Sequence, residues 1–427
     1  MSTATTTDAP PLRLGIRPNL AQFLLLVVIN AFVGGMVGME RTVVPLLGKQ
    51  TFHISSTSLI TSFIVSFGIS KALVDLISGT FADRWGRKPV LLLGWALGLP
   101  VPFLIIYAPT WSWIIWANVL LGMNQGFAWS MTVNMKIDLV GPAKRGLAMG
   151  LNEFAGYFAV GLTALATGYI ASASGLRPKP FYLGIGYVIA GFILSAFFVR
   201  DTRWHMQHES RNYSNAGVGD ESEKSRSFAD IFRITSWRDK TLFGSCQAGL
   251  VNNLNDGMAW GIFPLFFAAH GLDVKHIGTI KAVYPFVWAG GQLVTGPWSD
   301  RWGRKGLIVW GMLVQSLAHP VIAFGAKAYP WESGLAGAVL LGLGTSMVYP
   351  SLLASISDIA RPTWRARSLS VYRFWRDMGY AVGALMAGLV ANWLGLAWSI
   401  HVAGILTFVS GSLAWMVMRE TKQPNAS

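Results

Sequence analysis

The chain contains Gly79-Thr-Phe-Ala-Asp83-Arg84-Trp-Gly86-Arg87-Lys88 and, 217 residues further on, Gly296-Pro-Trp-Ser-Asp300-Arg301-Trp-Gly303-Arg304-Lys305. Each copy interrupts a long apolar stretch. With each residue type found at about one position in twenty, a single Asp-Arg-x-Gly-Arg-Lys is rare by chance, and two in register are not credible as chance. A dense charge cluster repeated at the same place in two hydrophobic halves implies a duplicated membrane bundle whose halves share one loop design.

Composition agrees with that reading. Of 427 residues, 52% are apolar and 13% charged, and the apolar residues gather in runs long enough to cross a bilayer, which excludes an ordinary soluble domain. Twelve spans are expected, at about residues 20–46, 57–81, 89–108, 112–138, 145–173, 180–200, 241–269, 275–299, 306–328, 331–357, 367–394 and 396–418. The first run is too long for a signal-peptide core and reads as a span. The sole cysteine, Cys246, falls inside a span, so neither a disulfide framework nor a thiolate metal cluster is expected.

A net charge of +14 would point to nucleic acid in a soluble chain, so the distribution of the charge has to decide. Arg84, Arg87 and Lys88, the run from Arg200 to Lys240, Arg301, Arg304 and Lys305, and Arg361, Arg365 and Arg367 all lie on alternate connections. The opposite connections carry only Arg41, Lys49, Arg177, Lys179, Lys275 and Lys327. The positive-inside rule then places both termini and the 201–240 loop in the cytoplasm, and the expected partner of the basic excess is the lipid bilayer, not nucleic acid.

The halves align beyond the repeated loop. Gly38-Met39 with Pro45-Leu46 matches Gly257-Met258 with Pro264-Leu265, and Asp138 matches Asp358. Residues 1–200 and 241–427 are therefore expected to form two six-helix bundles joined by a cytoplasmic linker, 201–240. Residues 204–226, rich in Ser, Glu, Asn and Gly, read as a tether, and the Asn212-Tyr-Ser sequon within it has no meaning for glycosylation on the cytoplasmic side. Phe228, Ile231, Phe232, Ile234 and Trp237 among charged neighbours predict a short amphipathic helix on the membrane surface.

The pattern G-x-x-x-D-R-x-G-R-K between the second and third spans, repeated between the eighth and ninth, resembles the signature loop of the major facilitator superfamily. The resemblance covers essentially the whole chain and names no solute. It implies an all-α membrane protein with twelve transmembrane helices in two pseudo-symmetric bundles, a monomer without cofactor or metal in the plasma (inner) membrane, which moves a small solute by alternating access and is not an enzyme. It also implies that Gly79, Asp83, Arg84, Gly86, Arg87, Lys88 and their counterparts Gly296, Asp300, Arg301, Gly303, Arg304 and Lys305 act in gating. In that role Asp83 and Asp300 pair with loop arginines and cap a neighbouring helix, where the dipole favours negative charge. Gly79 and Gly296 would let the next helix approach closely.

Ionisable residues within the spans are the sharper signal, because a charge at the bilayer centre costs roughly 2.5 to 3.5 kcal/mol on insertion scales. Lys71 and Asp75 share a face of the second span. Arg373, Arg376, Asp377 and Tyr380 lie within about 100° of one face of the eleventh. Asp75 and Arg376 fall at similar depths, about 12 to 15 Å from the cytoplasmic ends. In the family these two spans meet between the halves, so the expectation is an inter-bundle network of Lys71, Asp75, Arg373, Arg376 and Asp377. The alternative is neutralisation within each helix, Lys71 by Asp75 and Arg373 by Asp377.

Repeat alignment sets Glu153 of the fifth span beside Gln292 of the eighth. A glutamate with only a neutral amide for company is suited to carrying a proton, so Glu153 and then Asp75 are the candidates for proton coupling. Spans one, four, seven and ten line the cavity in the family, which makes Glu40, Arg41, Asn124, Asn252, Asn255 and Asp256 the solute-contact candidates, with Tyr380 of the eleventh span beside them. Asn252, Asp256 and Glu40 would hold a hard cation if they converged. The arginine that drug exporters of the family place in span four would fall at Gly122, and no proline follows Gly156, so a drug exporter is open but unsupported. The buried basic residues favour an anionic solute. Drug or metal and metalloid ions remain alternatives, as does a non-transporting sensor or scaffold on the same fold.

Overall fold

In the computed structural model, residues 14–141, 145–205, 227–361 and 364–421 are described. The tether from residue 206 onward, with the Asn212 sequon, lies outside them. Twelve long helices follow one another: α1 Leu20–Gln50, α2 Thr57–Trp85, α3 Arg87–Ile106, α4 Trp111–Val140, α5 Arg145–Ser174, α6 Lys179–Phe197, α7 Lys240–Ala269, α8 Val274–Trp302, α9 Arg304–Gly325, α10 Pro330–Ile359, α11 Arg365–Leu394 and α12 Leu396–Val417. Eight of these are long and apolar enough to cross a membrane by composition alone. The other four, α4, α7, α8 and α11, are about as long but carry inward polar groups, such as Asn118, Asn124 and Gln125 in α4 or Arg376 and Asp377 in α11.

Local chemistry sets several boundaries. Pro45 has no N–H to offer the carbonyl of Arg41, and α1 breaks at Thr42–Val43 before resuming as Val44–Gln50. Asp239 caps α7 by accepting from the N–H groups of Thr241 and Leu242, both at 2.9 Å. The surface helix runs Phe228–Arg233 and continues into one wider turn, Ile234–Arg238. Ile231 is buried, Phe228 and Trp237 are exposed, and Phe232 packs on Phe374 and Trp375 of α11.

The packing repeats with the sequence. In the first half α1 packs on α4, α5 and α6, α2 on α4, and α3 on α4 and α6; each pair recurs six helices later in the second half. The halves are joined chiefly by α2 with α11 and α5 with α8, and more narrowly by α7 with α1 and α2. At the α5–α8 crossing a Cβ on Gly168 would lie 2.9 Å from the Cα of Gly278, so both positions need glycine for the backbones to meet.

The halves touch unevenly along their length. Away from the signature loops, Gly68 meets Ala381, Gly161 meets Phe286, Gly261 meets Thr61 and Gly388 meets Ser58, all across the boundary. At the signature end Gly79, Gly150 and Gly296 have no such neighbour within 4 Å. The halves are thus sealed together at one end, while at the signature end these three glycines face open space. The close helix approach expected at Gly79 and Gly296 is absent.

Candidate functional site

Each signature loop is a sharp turn whose glycine has a conformation closed to other residues, φ +99° at Gly86 and +93° at Gly303. Arg87 pairs with Asp83 at 2.9 Å and with Asp138 at 3.4 Å, and Arg304 pairs with Asp300 at 2.7 Å and Asp358 at 3.2 Å. Arg84, Lys88, Arg301 and Lys305 sit on the same two turns. Asp83 and Asp300 therefore pair with loop arginines, but they are not the helix caps. That role falls to Asp201, which accepts from the N–H of Lys88 at 2.9 Å, and to Glu420, which accepts from those of Arg304 and Lys305 at 2.7 and 3.1 Å. Thr202 and Thr421 complete the pattern by donating to Asp138 at 2.7 Å and Asp358 at 3.0 Å. The signal was present as a second repeat, Arg200-Asp201-Thr202-Arg203 and Arg419-Glu420-Thr421-Lys422.

At the sealed end, Arg41 grips Asp256 with both terminal nitrogens, Nη1 on Oδ1 and Nη2 on Oδ2, the latter at 2.9 Å. This pair joins α1 to α7 across the boundary, and the Trp260 ring lies 4.6 Å from the guanidinium carbon. Lys281 of α8 is buried nearby with its Nζ donating to the carbonyl of Ala259 at 2.8 Å. Glu40 is fully buried beside Asn118, and neither carboxylate oxygen has a close hydrogen-bond partner among the described residues. Asn392 ties the same end by donating to Ser58 at 2.7 Å and accepting from the Thr57 N–H at 2.7 Å.

Deeper in, a continuous polar chain crosses the boundary twice. Glu153 Oε1 accepts from Trp129 Nε1 at 2.9 Å and from Asn152 Nδ2 at 3.2 Å, and its Oε2 accepts from the Tyr349 hydroxyl at 3.1 Å. Tyr349 in turn accepts from Arg376 Nη1 at 2.6 Å, and Arg376 pairs with Asp377 at 2.9 Å. Lys71 Nζ lies 2.5 Å from Asp377 Oδ2 and 2.9 Å from Asp75 Oδ2, and Ser130 donates to Asp75 Oδ1 at 3.0 Å. Lys71, Asp75, Arg376 and Asp377 are thereby brought together. Arg373 stands apart and has no hydrogen bond or ion pair among the described residues. Glu153 hydrogen-bonds Trp129, Asn152 and Tyr349 and not Gln292, whose Nε2 is buried without a partner among the described residues.

Most of the expected cavity amides serve the interior of one half. Asn124 donates to the Gly94 carbonyl of α3 at 2.8 Å. Asn255 donates to Gln315 of α9 at 2.9 Å and accepts from Thr407 of α12 at 2.8 Å, while Asn252 accepts from Gln315 at 2.8 Å. Their polar faces point to neighbouring helices of the same half, away from Asp256. Tyr380 packs on Phe67 and Trp260 beside Arg41. Asn252, Asp256 and Glu40 do not converge, since the first two are engaged by Gln315 and Arg41.

Three buried groups escaped the sequence reading. Lys136 and Lys281 sit inside α4 and α8, and Lys136 Nζ donates to the Leu26 carbonyl at 3.0 Å; the intramembrane-charge criterion applied to them equally. Tyr349, which bridges the halves, had no distinguishing signal.

Duplicated six-helix halves, paired signature loops and a polar path where the halves meet define a membrane transporter. The chain belongs to the major facilitator superfamily, whose family model matches residues 23–243 and 246–427. It is a multi-pass membrane protein that transports a small molecule and is not an enzyme. It is 24% identical over 372 residues to the multidrug resistance protein MdtG of Citrobacter koseri, covering 86% of each chain. It is 22% identical over 392 residues to the class B tetracycline resistance protein of Escherichia coli, covering 84% of this chain and 90% of that one. An uncharacterised MFS-type transporter of Salmonella typhimurium, STM4428, is 21% identical over 398 residues, 90% of this chain and 93% of the relative.

Proposed function

We propose that this protein is a proton-coupled secondary transporter of the inner membrane, acting as a monomer, in which halves 1–200 and 241–427 rock about a midplane site. The observation that carries this reading is the polar chain from Glu153 through Tyr349, Arg376, Asp377 and Lys71 to Asp75, because it crosses the boundary twice, from α5 to α10 and from α11 to α2. Rocking must break Glu153–Tyr349 or Lys71–Asp377, and a carboxylate that loses its partner in a dry interior takes a proton more readily than it stays charged. Glu153 is the group so exposed, and Asp75, which keeps Lys71 on its own helix, responds through the ammonium that it shares with Asp377. The concentration of basic residues on the signature-loop side orients that side, with both termini, to the cytoplasm. On this orientation the signature end opens inward, and the far end is sealed outside by Arg41 and Asp256.

Buried basic groups favour an anionic solute. Drug export is the second reading, and the observation that favours it is the likeness to relatives named for drug and tetracycline resistance. The test is proton movement in liposomes holding an interior pH dye, with organic anions, metal ions and drugs added in turn. A solute-dependent pH change that disappears in Glu153→Gln or Asp75→Asn is expected. A solute-dependent change that both variants retain would remove the network from the coupling, and silence from folded protein across the panel would favour uniport or a non-transporting role.

A further inference from the structure

The polar chain passes through a cluster of aromatic rings drawn from both halves. Trp129 of α4 and Tyr157 of α5 face Trp288 of α8 and Tyr349 of α10. Tyr157 lies against Trp288 with ring centroids 3.5 Å apart, Trp129 is 5.2 Å from Tyr157, and Tyr349 meets Trp288 edge-on at 5.8 Å. Such a cluster exceeds what charge transfer between the halves requires. A ring inserted among these faces would touch both halves at once, as a solute must if it is to bias their rocking.

Around the cluster two donors, on Trp288 and Gln292, and one acceptor, Asn152 Oδ1, have no partner among the described residues. Trp288 is 1% exposed and Gln292 7%, they lie one turn apart on the same face of α8, and Trp288 Nε1 and Gln292 Nε2 are both without an acceptor. Arg373 has no ion pair among the described residues, is only partly buried, and its charge reaches Tyr349 and Asp75. The one acid in the cluster, Glu153, is already engaged at both oxygens. A cation entering here would find no carboxylate available to it. An anion would find two buried N–H groups and a guanidinium, and buried donors left unpaired are costly enough to select for the ligand that meets them.

We propose that this cluster is the seat of a flat aromatic carboxylate: the ring packs among Trp129, Tyr157, Trp288 and Tyr349, and the carboxylate accepts from Trp288 Nε1 and Gln292 Nε2 in the field of Arg373. The assignment rests on the transport reading above and names the solute class of that site.

Purified protein provides the test through thermal melting and intrinsic Trp fluorescence, with benzoate, benzamide, benzamidine and acetate as probes. Benzoate should raise the melting temperature and change the fluorescence, with acetate and benzamidine inert at the same concentration. Trp288→Phe keeps an aromatic, though smaller, ring and removes one N–H, and Gln292→Met keeps the volume and removes the other; each should weaken benzoate roughly tenfold. Arg373→Gln should abolish the preference for benzoate over neutral benzamide. If benzamidine or acetate matches benzoate, or if folded wild-type protein binds no ring compound, the assignment is wrong. Because binding is read without a gradient, a different solute that moves protons in liposomes would leave the transport reading standing while this seat falls.

Discussion

Lys71 of α2 and Asp377 of α11 meet across the boundary between the halves with 2.5 Å between Nζ and Oδ2, and the same ammonium holds Asp75 at 2.9 Å. One cation thus serves two buried carboxylates from opposite halves. Removing it leaves Asp75 without its ion-pair partner, while Asp377 keeps Arg376. Lys71→Met should cost about 3 to 5 kcal/mol, the range for breaking a buried pair from one side. Adding Asp75→Asn should recover most of that loss, because no charge is then stranded. Thermal unfolding of the single and double variants checks this, and equal stability of Lys71→Met and wild type would show that the ammonium is not supporting the pair.

Tyr349 is the only described side chain that hydrogen-bonds both Arg376 and Glu153. Tyr349→Phe keeps the ring and deletes that link. Gradient-driven transport should fall by about tenfold, the weight of one hydrogen bond to a charged group, while solute exchange without a gradient continues. Comparing the two modes in liposomes decides it; equal loss in both would make Tyr349 a solute contact, with no coupling role.

Arg41 and Asp256 fasten the sealed end. Arg41→Gln should raise the population open at that end by tenfold or more, each 1.4 kcal/mol of lost pairing being about a factor of ten. The rate at which an impermeant maleimide reaches Ile64→Cys, a residue buried at that boundary, reports the opening in a Cys246→Ser background. Exchanging the charges, Arg41→Asp with Asp256→Arg, should slow labelling again. Unchanged labelling in Arg41→Gln would locate the seal in the surrounding packing.

Glycines of the signature segment should divide by conformation. Gly86→Ala and Gly303→Ala force a side chain into the φ +99° and +93° turns and should each cost about 1 to 3 kcal/mol. Gly79→Ala and Gly296→Ala meet nothing within 4 Å and should melt like wild type, yet slow transport if the opposite state brings a helix against them. Melting and transport measured side by side separate the two classes.

Much of this was legible in the chain. Helix ends followed the switches between apolar runs and charged turns, and Lys71, Asp75, Arg376 and Asp377 stood out because charge within a span demands a partner. Asn124, Asn252 and Asn255 misled because helical periodicity fixes which residues share a face without telling which neighbour the face meets. A buried amide satisfies a helix of its own half as readily as it lines a cavity. Trp288 and Tyr349 could not be singled out among 19 tryptophans and 11 tyrosines, where aromatic character alone gives no contrast.

Asp201 and Glu420 each carry the chain just past the last helix of a half back onto that half's own third helix. Each half is therefore a closed loop of contacts, fastened to itself before it meets the other. Displacing one half against the other need not loosen either, and the resistance to the stroke falls on the packing of α2 against α11 and α5 against α8 and on the bonds that cross the boundary. A transporter built this way can be retuned in speed or bias by single exchanges at that seam, while its two rigid parts remain as they are.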